Sequence, residues 1–445
     1  MIGLGYVGLS LAVCLANKGF RVTGYDIDAN KVERINSGEP PFYEPGLEGL
    51  LRRSLKKGFR AFTEMTPSHI NFITVGTPQD NNGVDLNQVE SASGELGASL
   101  AGMDGYSLVV VKSTVPPGTT EGPVKEAIEL ASGKKCGREI GLVMNPEFLR
   151  EGSAVEDTLR PDRIIIGEYD KKSGDALLSL YRRLYGKKIP GLLRTSIVNA
   201  ELIKYANNAF LATKVSFINM IADLCQKIPG ANVDVIAEGI GMDRRIGKDF
   251  LRAGPGWSGS CLPKDTKALR SIFLKEGVES PVLDGVMQMN EIQPRKVLDA
   301  VEDLLGDLKG KRVAVLGLSF KPNTDDVRDS ISIRIIKDLL ERGAVVSAYD
   351  PVAVENARRS LGMRDGASSN VLFATSLNDA LDEADCCVIL TEWDEFRKLR
   401  QEDFSGMKNK LIVDTRRILR QSAFRQIKLV SIGIGQASEA ARTQD

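Results

Sequence analysis

The segment Gly3-Leu4-Gly5-Tyr6-Val7-Gly8 decides how the first half of the chain folds. Its three glycines have the spacing of a turn in which the backbone approaches a pyrophosphate at the N-terminus of a helix. A helical pattern and a strand pattern follow, and Asp26 stands 18 residues after Gly8. A carboxylate at that position accepts hydrogen bonds from ribose hydroxyls and repels a 2′-phosphate. The segment therefore predicts a site for NAD rather than NADP, with Asp28 a weaker candidate for the ribose and Lys31 at the same end of the cofactor.

Few residues come before this turn. Only Met1 and Ile2 precede Gly3, whereas a strand has about five or six residues. A shortened first strand, or a start that lacks part of it, is therefore expected. Because no basic region and no cleavage site come before the turn, no signal peptide is predicted and a cytoplasmic location is expected.

Short apolar runs alternate with longer amphipathic stretches on both sides of a helical middle region, which is typical of parallel α/β sheets. A long helix is predicted over residues 195–228, which contain neither Gly nor Pro, and a mostly helical region continues to about residue 305. Strands are predicted at residues 22–25, 70–75, 108–111, 140–144, 164–166, 312–317, 345–349, 387–391 and 411–414. The expected fold class is α/β, with two Rossmann-like, doubly wound lobes joined by a long central helix and a helical middle domain.

An internal repeat supports two similar lobes. Residues 19–26 and 343–350 each combine a glycine, a strand and an aspartate at the end of the strand. The second lobe has Gly317 after its first strand but no GxGxxG, so it is not expected to hold a second dinucleotide in the same way. The predicted division is a dinucleotide-binding lobe at 1–194, a helical domain at 195–308, a second lobe at 309–434 and a flexible tail at 435–445.

Composition narrows the chemistry. Hydrophobic residues make up 42% of the chain, and 59 basic residues balance 59 acidic ones, so neither nucleic acid nor membrane is an expected partner. The six cysteines include no CxxC pair, which predicts neither a disulfide framework nor a metal site. His69 is the only histidine and is interpreted as a residue at the start of a strand. Acid–base work is therefore expected from Lys, Asp, Glu, Cys or water.

The segment Gly254-Pro-Gly-Trp-Ser-Gly-Ser-Cys261-Leu-Pro-Lys264-Asp265 is the most informative about reactivity. Glycine-rich backbone before a cysteine can shape an oxyanion pocket, and a nearby lysine can help to hold a thiolate. Lys204 and Asn208 stand four residues apart on the predicted long helix and therefore share a face, where they could stabilise a developing alkoxide. Further polar motifs follow predicted strand ends, where α/β active sites collect. These motifs are Val75–Pro78 with Thr77, Lys112–Gly118 with Thr114, and Asn145–Gly152 with Glu147 and Glu151.

From Gly3 to about Leu419 the chain closely resembles the UDP-glucose 6-dehydrogenase family, within the wider UDP-sugar dehydrogenases. The motifs that carry the resemblance are GxGYVGL, VGTP, KSTVPPG, PEFLREG, KYANNAFLATKVSFIN, GSCLPKD and GLSFKPNTDDVR. Sister enzymes that act on N-acetylated sugars typically carry a histidine before the cysteine and a different helix motif. Ser260 and the motif beginning at Lys204 therefore favour UDP-glucose.

The resemblance implies a set of roles. Cys261 is the nucleophile, Lys204 stabilises oxyanions, Asp265 positions or activates water, Glu147 is a candidate acid–base in thioester hydrolysis, and Thr114 holds the catalytic water. The second lobe would bind the UDP-sugar, and a homodimer is expected. Implied substrate contacts are Glu147, Phe148, Leu149, Lys204, Asn208, Arg245, Arg252, Gly256, Trp257, Ser258, Phe320 and Lys321. Either Arg416 or Arg417 is also implied, reaching the substrate across a dimer interface. Implied cofactor contacts besides the glycine turn, Asp26 and Lys31 are Thr77, Thr114, Glu151, Lys264 and Arg328.

The expected activity is an NAD-dependent four-electron oxidation of UDP-glucose to UDP-glucuronate through a thiohemiacetal and a thioester on Cys261. One departure from the family pattern stands in the sugar loop, where Trp257-Ser258-Gly259 replaces the commoner Phe-Gly-Gly and bears on affinity or sugar choice. The alternatives are a UDP-N-acetylhexosamine dehydrogenase, a two-electron enzyme like the β-hydroxyacid dehydrogenases, which needs no cysteine, and a non-enzymatic sensor of NAD or a UDP-sugar.

Overall fold

The computed structural model describes residues 1–435 apart from 81–82, 187–188 and 364–369. Residue contacts divide the chain into two compact units, the first being Met1–Asn207 and the second beginning at Asn208. The division into three domains at the bounds predicted above stays a prediction. Among the described residues, no helix combines the length and the apolar character that crossing a membrane requires.

The first unit alternates helices with strands. Its helices are α1 (Tyr6–Asn17), α2 (Ala29–Ser37), α3 (Leu47–Lys56), α4 (Asn87–Ala101), α5 (Lys125–Ser132), α6 (Ala154–Leu159) and α7 (Lys171–Tyr185), with a π-type turn at Thr120–Val124. Its strands are β1 (Thr23–Tyr25), β2 (Arg60–Phe62), β3 (Ile70–Ile73), β4 (Gln79–Asp80), β5 (Gly83–Val84), β6 (Ser107–Val111), β7 (Ile140–Met144), β8 (Arg163–Glu168) and β9 (Gly191–Thr195). The five strands predicted in this half are all present, and His69 directly precedes β3 as expected.

The sheet of the first unit is completed by the first residues of the chain. Five strands pair in the order β3-β6-β7-β8-β9, and β1 pairs with β2. Ile2 forms parallel bridges to both Tyr25 and Ile73, and so it joins the two sets of strands. Ile2 therefore lies at the central position that a Rossmann-like sheet gives to its first strand. All these pairings are parallel except β7–β8, which is antiparallel and departs from the predicted parallel sheet.

Helix α8 (Ile197–Lys227) begins in the first unit and continues into the second. It lies within the predicted range of 195–228, and the absence of Gly and Pro from it explains its length. Lys204 and Asn208 stand one turn apart on this helix.

The second unit contains the remaining helices and a second sheet. Its helices are α9 (Val233–Gly241), α10 (Leu262–Lys275), α11 (Pro281–Leu305), α12 (Ile331–Glu341), α13 (Val354–Ser360), α14 (Leu377–Leu381) and α15 (Asp394–Arg397), with 3-10 turns at Gln401–Phe404 and Gln421–Ala423. Its strands are β10 (Arg312–Leu316), β11 (Val345–Tyr349), β12 (Val371–Phe373), β13 (Cys386–Ile389), β14 (Leu411–Asp414) and β15 (Lys428–Ser431). The order β12-β11-β10-β13-β14-β15, parallel throughout, is the order 3-2-1-4-5-6 of a doubly wound fold.

The internal repeat is present in the backbone of both units. The amide of Gly3 donates to the carbonyl of Tyr25, and the amide of Gly317 donates to that of Tyr349, both at 2.8 Å. Both glycines have a φ near +90°, a backbone conformation that favours glycine. Gly435, the first residue assigned to the predicted tail, is buried, and its amide donates to the carbonyl of Ala231. Residues 436–445 of that tail lie outside the described residues.

Candidate active site

Three glycines shape the turn at the start of α1, each for a different reason. Gly3 has φ +88° and packs against the backbone of Thr74. A Cβ on Gly8 would lie 1.9 Å from the carbonyl oxygen of Gly3, so glycine there allows the helix to approach the sheet. A Cβ on Gly5 would meet nothing within 4 Å, and no side chain caps the N-terminus of α1 at this residue. The approach to the positive end of the helix is therefore open, as a pyrophosphate requires.

Asp26 stands at the end of β1, beside this turn. Its carboxylate accepts a hydrogen bond from the amide of Leu4 at 2.8 Å and forms an ion pair with Lys31 at 2.9 Å. Asp28 has a different task, since it caps the N-terminus of α2 by accepting from the amides of Asn30 and Lys31. The open turn and the strand-end carboxylate together fit the pyrophosphate and the ribose of an NAD molecule.

The carboxyl ends of β6 and β7 place two buried polar residues side by side. Lys112 follows β6 and Asn145 follows β7, and the Lys112 ammonium donates to Asn145 Oδ1 at 3.0 Å. Asn145 Oδ1 also accepts from the hydroxyl of Tyr181, and its Nδ2 donates to the carbonyl of Ile165. Burial lowers the pKa of Lys112 to about 8, Lys204 acts in the same direction, and Glu147 opposes both.

Glu147 and Lys204 form a buried ion pair in the first unit. Their residues are 8% and 3% exposed, and Lys204 Nζ lies 2.9 Å from Glu147 Oε1. The other carboxylate oxygen accepts from the amide of Leu149 at 2.6 Å. Burial alone would raise the pKa of Glu147, but Lys204, the Leu149 amide and Lys112 outweigh it, and the pKa lies below its usual value. Phe148 lies under the ammonium of Lys204, 5.4 Å from the ring centre.

The loop that carries Thr114 is anchored to α8 by a buried carboxylate. Glu201 accepts from the amides of Gly118 and Thr120 at 2.7 and 2.8 Å. Thr114 itself is half-buried, and Thr77 is buried. Burial raises the pKa of Glu201, and the two amide donors oppose that shift.

A second buried carboxylate anchors the segment that carries Glu151. Glu44 accepts from the amides of Gly152 and Ala154 at 2.7 and 2.8 Å. Glu151 is half-buried in this segment. Glu44 and Glu201 were not singled out in the sequence, because each acts on residues distant in the chain.

In the second unit, Cys261 stands directly before the first residue of α10 and is exposed, whereas the other five cysteines are buried. Its sulfur lies 3.6 Å from the hydroxyl of Ser260. The amide of Asp265 donates to the carbonyl of Cys261 at 2.9 Å, so the expected helical turn between the two residues is formed. The thiol is thus placed at the positive end of a helix, where negative charge is favoured.

Asp265 links two neighbours in this unit. It is 1% exposed and accepts from Asn208 Nδ2 at 2.6 Å, and its other oxygen pairs with Lys264 Nζ at 2.6 Å. The spacing in the sequence correctly grouped Asp265 with the thiol segment, but the direct bond between Asn208 and Asp265 was not predicted.

The glycine-rich loop before Cys261 is tightly held within the second unit. The indole of Trp257 is buried and donates to the hydroxyl of Ser216, while Asn290 bonds to the backbone of Trp257 in both directions. Ser258 is half-buried. Gly259 has φ +90°, and a Cβ on it would lie 2.6 Å from the ring of Phe320, so this glycine and Phe320 are in close contact.

The arginines expected at the substrate or cofactor all have partners within their own unit. Arg252 pairs with Glu392, Arg245 with Asp243 and Arg328 with Asp326. Arg416 donates to the carbonyl of Leu390, and its guanidinium packs at Gly254, where a Cβ would lie 2.6 Å from it. Burial lowers the pKa of Arg416 to about 10. Arg417 is tied to Asp234 and to the carbonyl of Ala253. Lys321 lies 5.5 Å from the centre of the Phe320 ring.

Three models of one protein family match successive parts of the chain. The NAD binding domain of the UDP-glucose/GDP-mannose dehydrogenase family matches residues 1–185, its central domain matches 198–292, and its UDP binding domain matches 314–421. The chain belongs to the UDP-glucose/GDP-mannose dehydrogenase family. This membership confirms the resemblance seen in the motifs, the NAD cofactor and the assignment to dehydrogenases.

Individual members of the family are similar over nearly the whole length. The chain is 42% identical over 424 residues to a UDP-glucose 6-dehydrogenase, AglM, of Haloferax volcanii, covering 94% of this chain and 96% of that protein. The structure of a UDP-glucose dehydrogenase from Pyrobaculum islandicum matches with a TM-score of 0.89 at 39% identity, over 97% of this chain and 96% of that one. A UDP-D-ManNAc dehydrogenase from Pyrococcus horikoshii matches with a TM-score of 0.84 at 27% identity, over 97% and 98% of the two chains.

Proposed function

We propose that the chain catalyses the NAD-dependent, four-electron oxidation of UDP-glucose to UDP-glucuronate. The exposed thiol of Cys261 at the start of α10 is the observation that carries this proposal, since a two-electron alcohol dehydrogenase has no use for it. The choice of sugar is supported by the identities of 42% and 39% to enzymes named for UDP-glucose, against 27% to one named for an N-acetylated sugar.

NAD, when bound, accepts one hydride in each of the two oxidations. The open turn at Gly5 and the end of α1 would hold its pyrophosphate, and Asp26 would accept from its adenosine ribose. Lys31 would lie at the same end of the cofactor. The further contacts proposed for NAD are those of Thr77, Thr114, Glu151, Lys264 and Arg328.

Cys261 carries the carbon that is oxidised. The first oxidation converts the C6 alcohol to an aldehyde and releases a proton. The thiolate adds to the aldehyde carbon while the aldehyde oxygen takes up a proton, and the new C–S bond makes a thiohemiacetal that cannot diffuse away. The second oxidation removes a hydride and a proton to give a thioester. Water then adds to the thioester carbonyl, the C–S bond breaks, and the carboxylate leaves while the thiolate is restored and the two protons of the water are released.

The polar residues of the two units take supporting roles. In the first unit, Lys204 would stabilise oxyanions, while Glu147, held ionised by Lys204, would act as acid–base in thioester hydrolysis and Thr114 would hold the water. In the second unit, Asp265 accepts a hydrogen bond from Asn208 and stands one helical turn after the thiol, where it would position or activate water.

The proposed contacts of the sugar nucleotide are Glu147, Phe148, Leu149, Lys204, Asn208, Arg245, Arg252, Gly256, Trp257, Ser258, Phe320, Lys321 and either Arg416 or Arg417. Because the Trp257 indole is buried and bonded to Ser216, its loop would contact the sugar through backbone and through Ser258. A cytoplasmic location stays a prediction from the sequence.

A homodimer is the proposed assembly, and an apolar stripe on α8 supports it. Phe210, Phe217, Met220 and Leu224 recur at helical spacing and are between 46% and 65% exposed. Large apolar side chains in one stripe on the surface mark a surface that another protein covers. The length of the helix makes a second copy of the same chain, paired on the same stripe, the proposed partner.

The proposal is tested by counting NADH formed with limiting UDP-glucose. Two NADH per UDP-glucose are expected, and none or far less with UDP-N-acetylated sugars. Cys261→Ser should lose most of its turnover while it still binds UDP-glucose, whereas Cys136→Ser, a control at a buried cysteine, should not. One NADH per substrate, or near-normal NADH production by Cys261→Ser, would contradict the scheme.

A further inference from the structure

Lys112 is a buried lysine in the first unit that the proposed roles do not use. It directly follows β6, two residues before Thr114, and its amide donates to the carbonyl of Ile73 at 2.9 Å. The residue is 7% exposed. Its ammonium donates to Asn145 Oδ1 at 3.0 Å and to the carbonyl of Asn145 at 3.4 Å. Main-chain and side-chain bonds therefore fix the ammonium at the carboxyl edge of the sheet, where ligands of α/β proteins bind.

Among the described residues, no carboxylate serves as a counter-ion to the Lys112 ammonium alone. In the part of the chain that the structure describes, Lys112 makes no ion pair, and the nearest influential carboxylate, Glu147, is already bonded to Lys204. The buried group thus holds two ammonium ions and one carboxylate. A buried positive charge without a partner is costly, and a nearby anion removes that cost. The arrangement favours a negative charge arriving from a ligand.

We propose that Lys112 is a positioning residue that supplies a second positive charge to the Glu147–Lys204 pair and must be protonated for oxidation at the full rate. This inference rests on the proposed function. Each oxidation step removes a proton from a hydroxyl oxygen before or as the hydride leaves, so negative charge develops on that oxygen. A fixed cation in a dry site stabilises such charge strongly and needs no rearrangement. Lys112 also helps to keep Glu147 in its carboxylate form.

The inference predicts a pH dependence. Glu147 and Lys204 are the charged groups that act on Lys112, and Tyr181 reaches it only through the shared Asn145 oxygen. Burial, with a smaller contribution from Lys204, lowers the pKa of Lys112 to about 8. Lys112 therefore loses its charge as the pH rises through about 8, and turnover falls with it.

The test compares the kcat of the wild type with that of Lys112→Met between pH 7 and pH 9.5. Dividing the kcat of the wild type by that of Lys112→Met cancels every pH effect that both proteins share. The ratio should be on the order of tenfold or more at pH 7 and fall towards one above pH 9, with a midpoint near 8. Lys112→Arg, which keeps its charge, should restore turnover and remove the fall at high pH. Lys134→Met is the control, since the ammonium of Lys134 donates to the carbonyls of Leu100 and Met103.

A ratio that stays constant across the pH range while both proteins turn over would overturn the inference and leave the proposed function intact. If Lys112→Met does not fold, Lys112→Gln, which can still donate to Asn145, takes its place.

A wild type without turnover would overturn the proposed function. In that case, the dependence of the melting temperature on pH tests whether Lys112 loses its charge near pH 8. Since the folded pKa of Lys112 is lower than its unfolded value of 10.5, the unfolded state binds more protons between these values. The stability of the wild type should therefore rise with pH relative to Lys112→Met over that window. A gap in melting temperature that does not change with pH would overturn the assignment.

Discussion

Replacing Glu147 by Gln should separate the contribution of the Glu147–Lys204 pair to stability from its contribution to catalysis. The two side chains are almost fully buried, and a charge left alone in such a place costs about 3–5 kcal/mol. The glutamine keeps the shape of the side chain but leaves the ammonium of Lys204 without its counter-ion. A loss of about 3 kcal/mol in the free energy of unfolding corresponds to roughly 6–12 °C in melting temperature for a unit of this size.

The double variant Glu147→Gln with Lys204→Met tests whether the loss comes from the stranded charge. Because the second change removes the uncompensated ammonium, the double variant should be more stable than Glu147→Gln alone, and the two effects should not add. Urea unfolding of the wild type, Glu147→Gln, Lys204→Met and the double variant measures this coupling. If Glu147→Gln unfolds within about 1 kcal/mol of the wild type, or if the two single effects add, the pair is not a stabilising unit and the reasoning fails.

The same pair predicts how stability depends on acid. The pKa of Glu147 in the folded protein lies below its ordinary value of 4.5, so the carboxylate stabilises the fold at neutral pH. This contribution is lost as the pH falls below 4.5 and through the folded pKa, and the stability gap between wild type and Glu147→Gln should narrow there. In turnover, Glu147→Gln should slow thioester hydrolysis, so intact-protein mass spectrometry should find the sugar nucleotide bound to Cys261.

Two further predictions concern the cofactor and the assembly. Asp26→Ser should raise the KM for NAD about tenfold or more, because hydrogen bonds to a charged acceptor are lost. The variant should also use NADP more readily, because Lys31 is released from its ion pair with Asp26. Asp28→Ser keeps the helix cap and is the control, and an unchanged preference for NAD in Asp26→Ser would contradict the role of Asp26. The double variant Phe210→Glu with Leu224→Glu should sediment as a monomer rather than a dimer in sedimentation velocity. Leu130 on α5 is also highly exposed, and Leu130→Glu, the control, should remain a dimer. A double variant that stays dimeric would place the interface elsewhere.

The fold could be predicted where strands consist of continuous apolar runs. β7, β11 and β14 have the predicted bounds, because strands buried on both faces read as unbroken apolar segments. The prediction missed β2, β4, β5, β9, β12 and β15. β2 buries only Ala61, and β9 at the edge of its sheet buries none of its residues, so neither has a pattern that stands out from a loop.

The site could be predicted only in part, for a related reason. Sequence motifs locate residues at strand ends and on one helix face, and Cys261, Asp265 and Asn208 lie where those rules place them. The bonds of Glu201 to the loop at residues 118–120 join residues more than 80 positions apart and leave no local pattern. Lys112 opened the motif Lys112–Gly118 without a role of its own, because its bond to Asn145 joins residues 33 positions apart.

The two lobes contain the same strand-end acid, but the two carboxylates differ in how easily a ligand could displace their partners. In the first lobe the amide of Leu4 donates to Asp26, and in the second the amide of Leu318 donates to Asp350, both at 2.8 Å. The shared bond is a property of the βα turn itself and does not by itself mark a nucleotide site. What distinguishes the two acids is the side-chain partner of each carboxylate.

Asp26 has Lys31 as that partner, and the lysine side chain is 28% exposed and long enough to move aside for a ribose. Asp350 instead accepts from the hydroxyl of Ser319 at 3.0 Å and from the indole of Trp393 at 3.1 Å. This tryptophan is 7% exposed and packed in the core of its lobe. A ribose could displace the lysine at little cost, whereas displacing the indole would open the core. The second lobe therefore keeps the turn and the acid of a dinucleotide site, with the acid used to hold the fold, and a nucleotide there must be recognised by other residues.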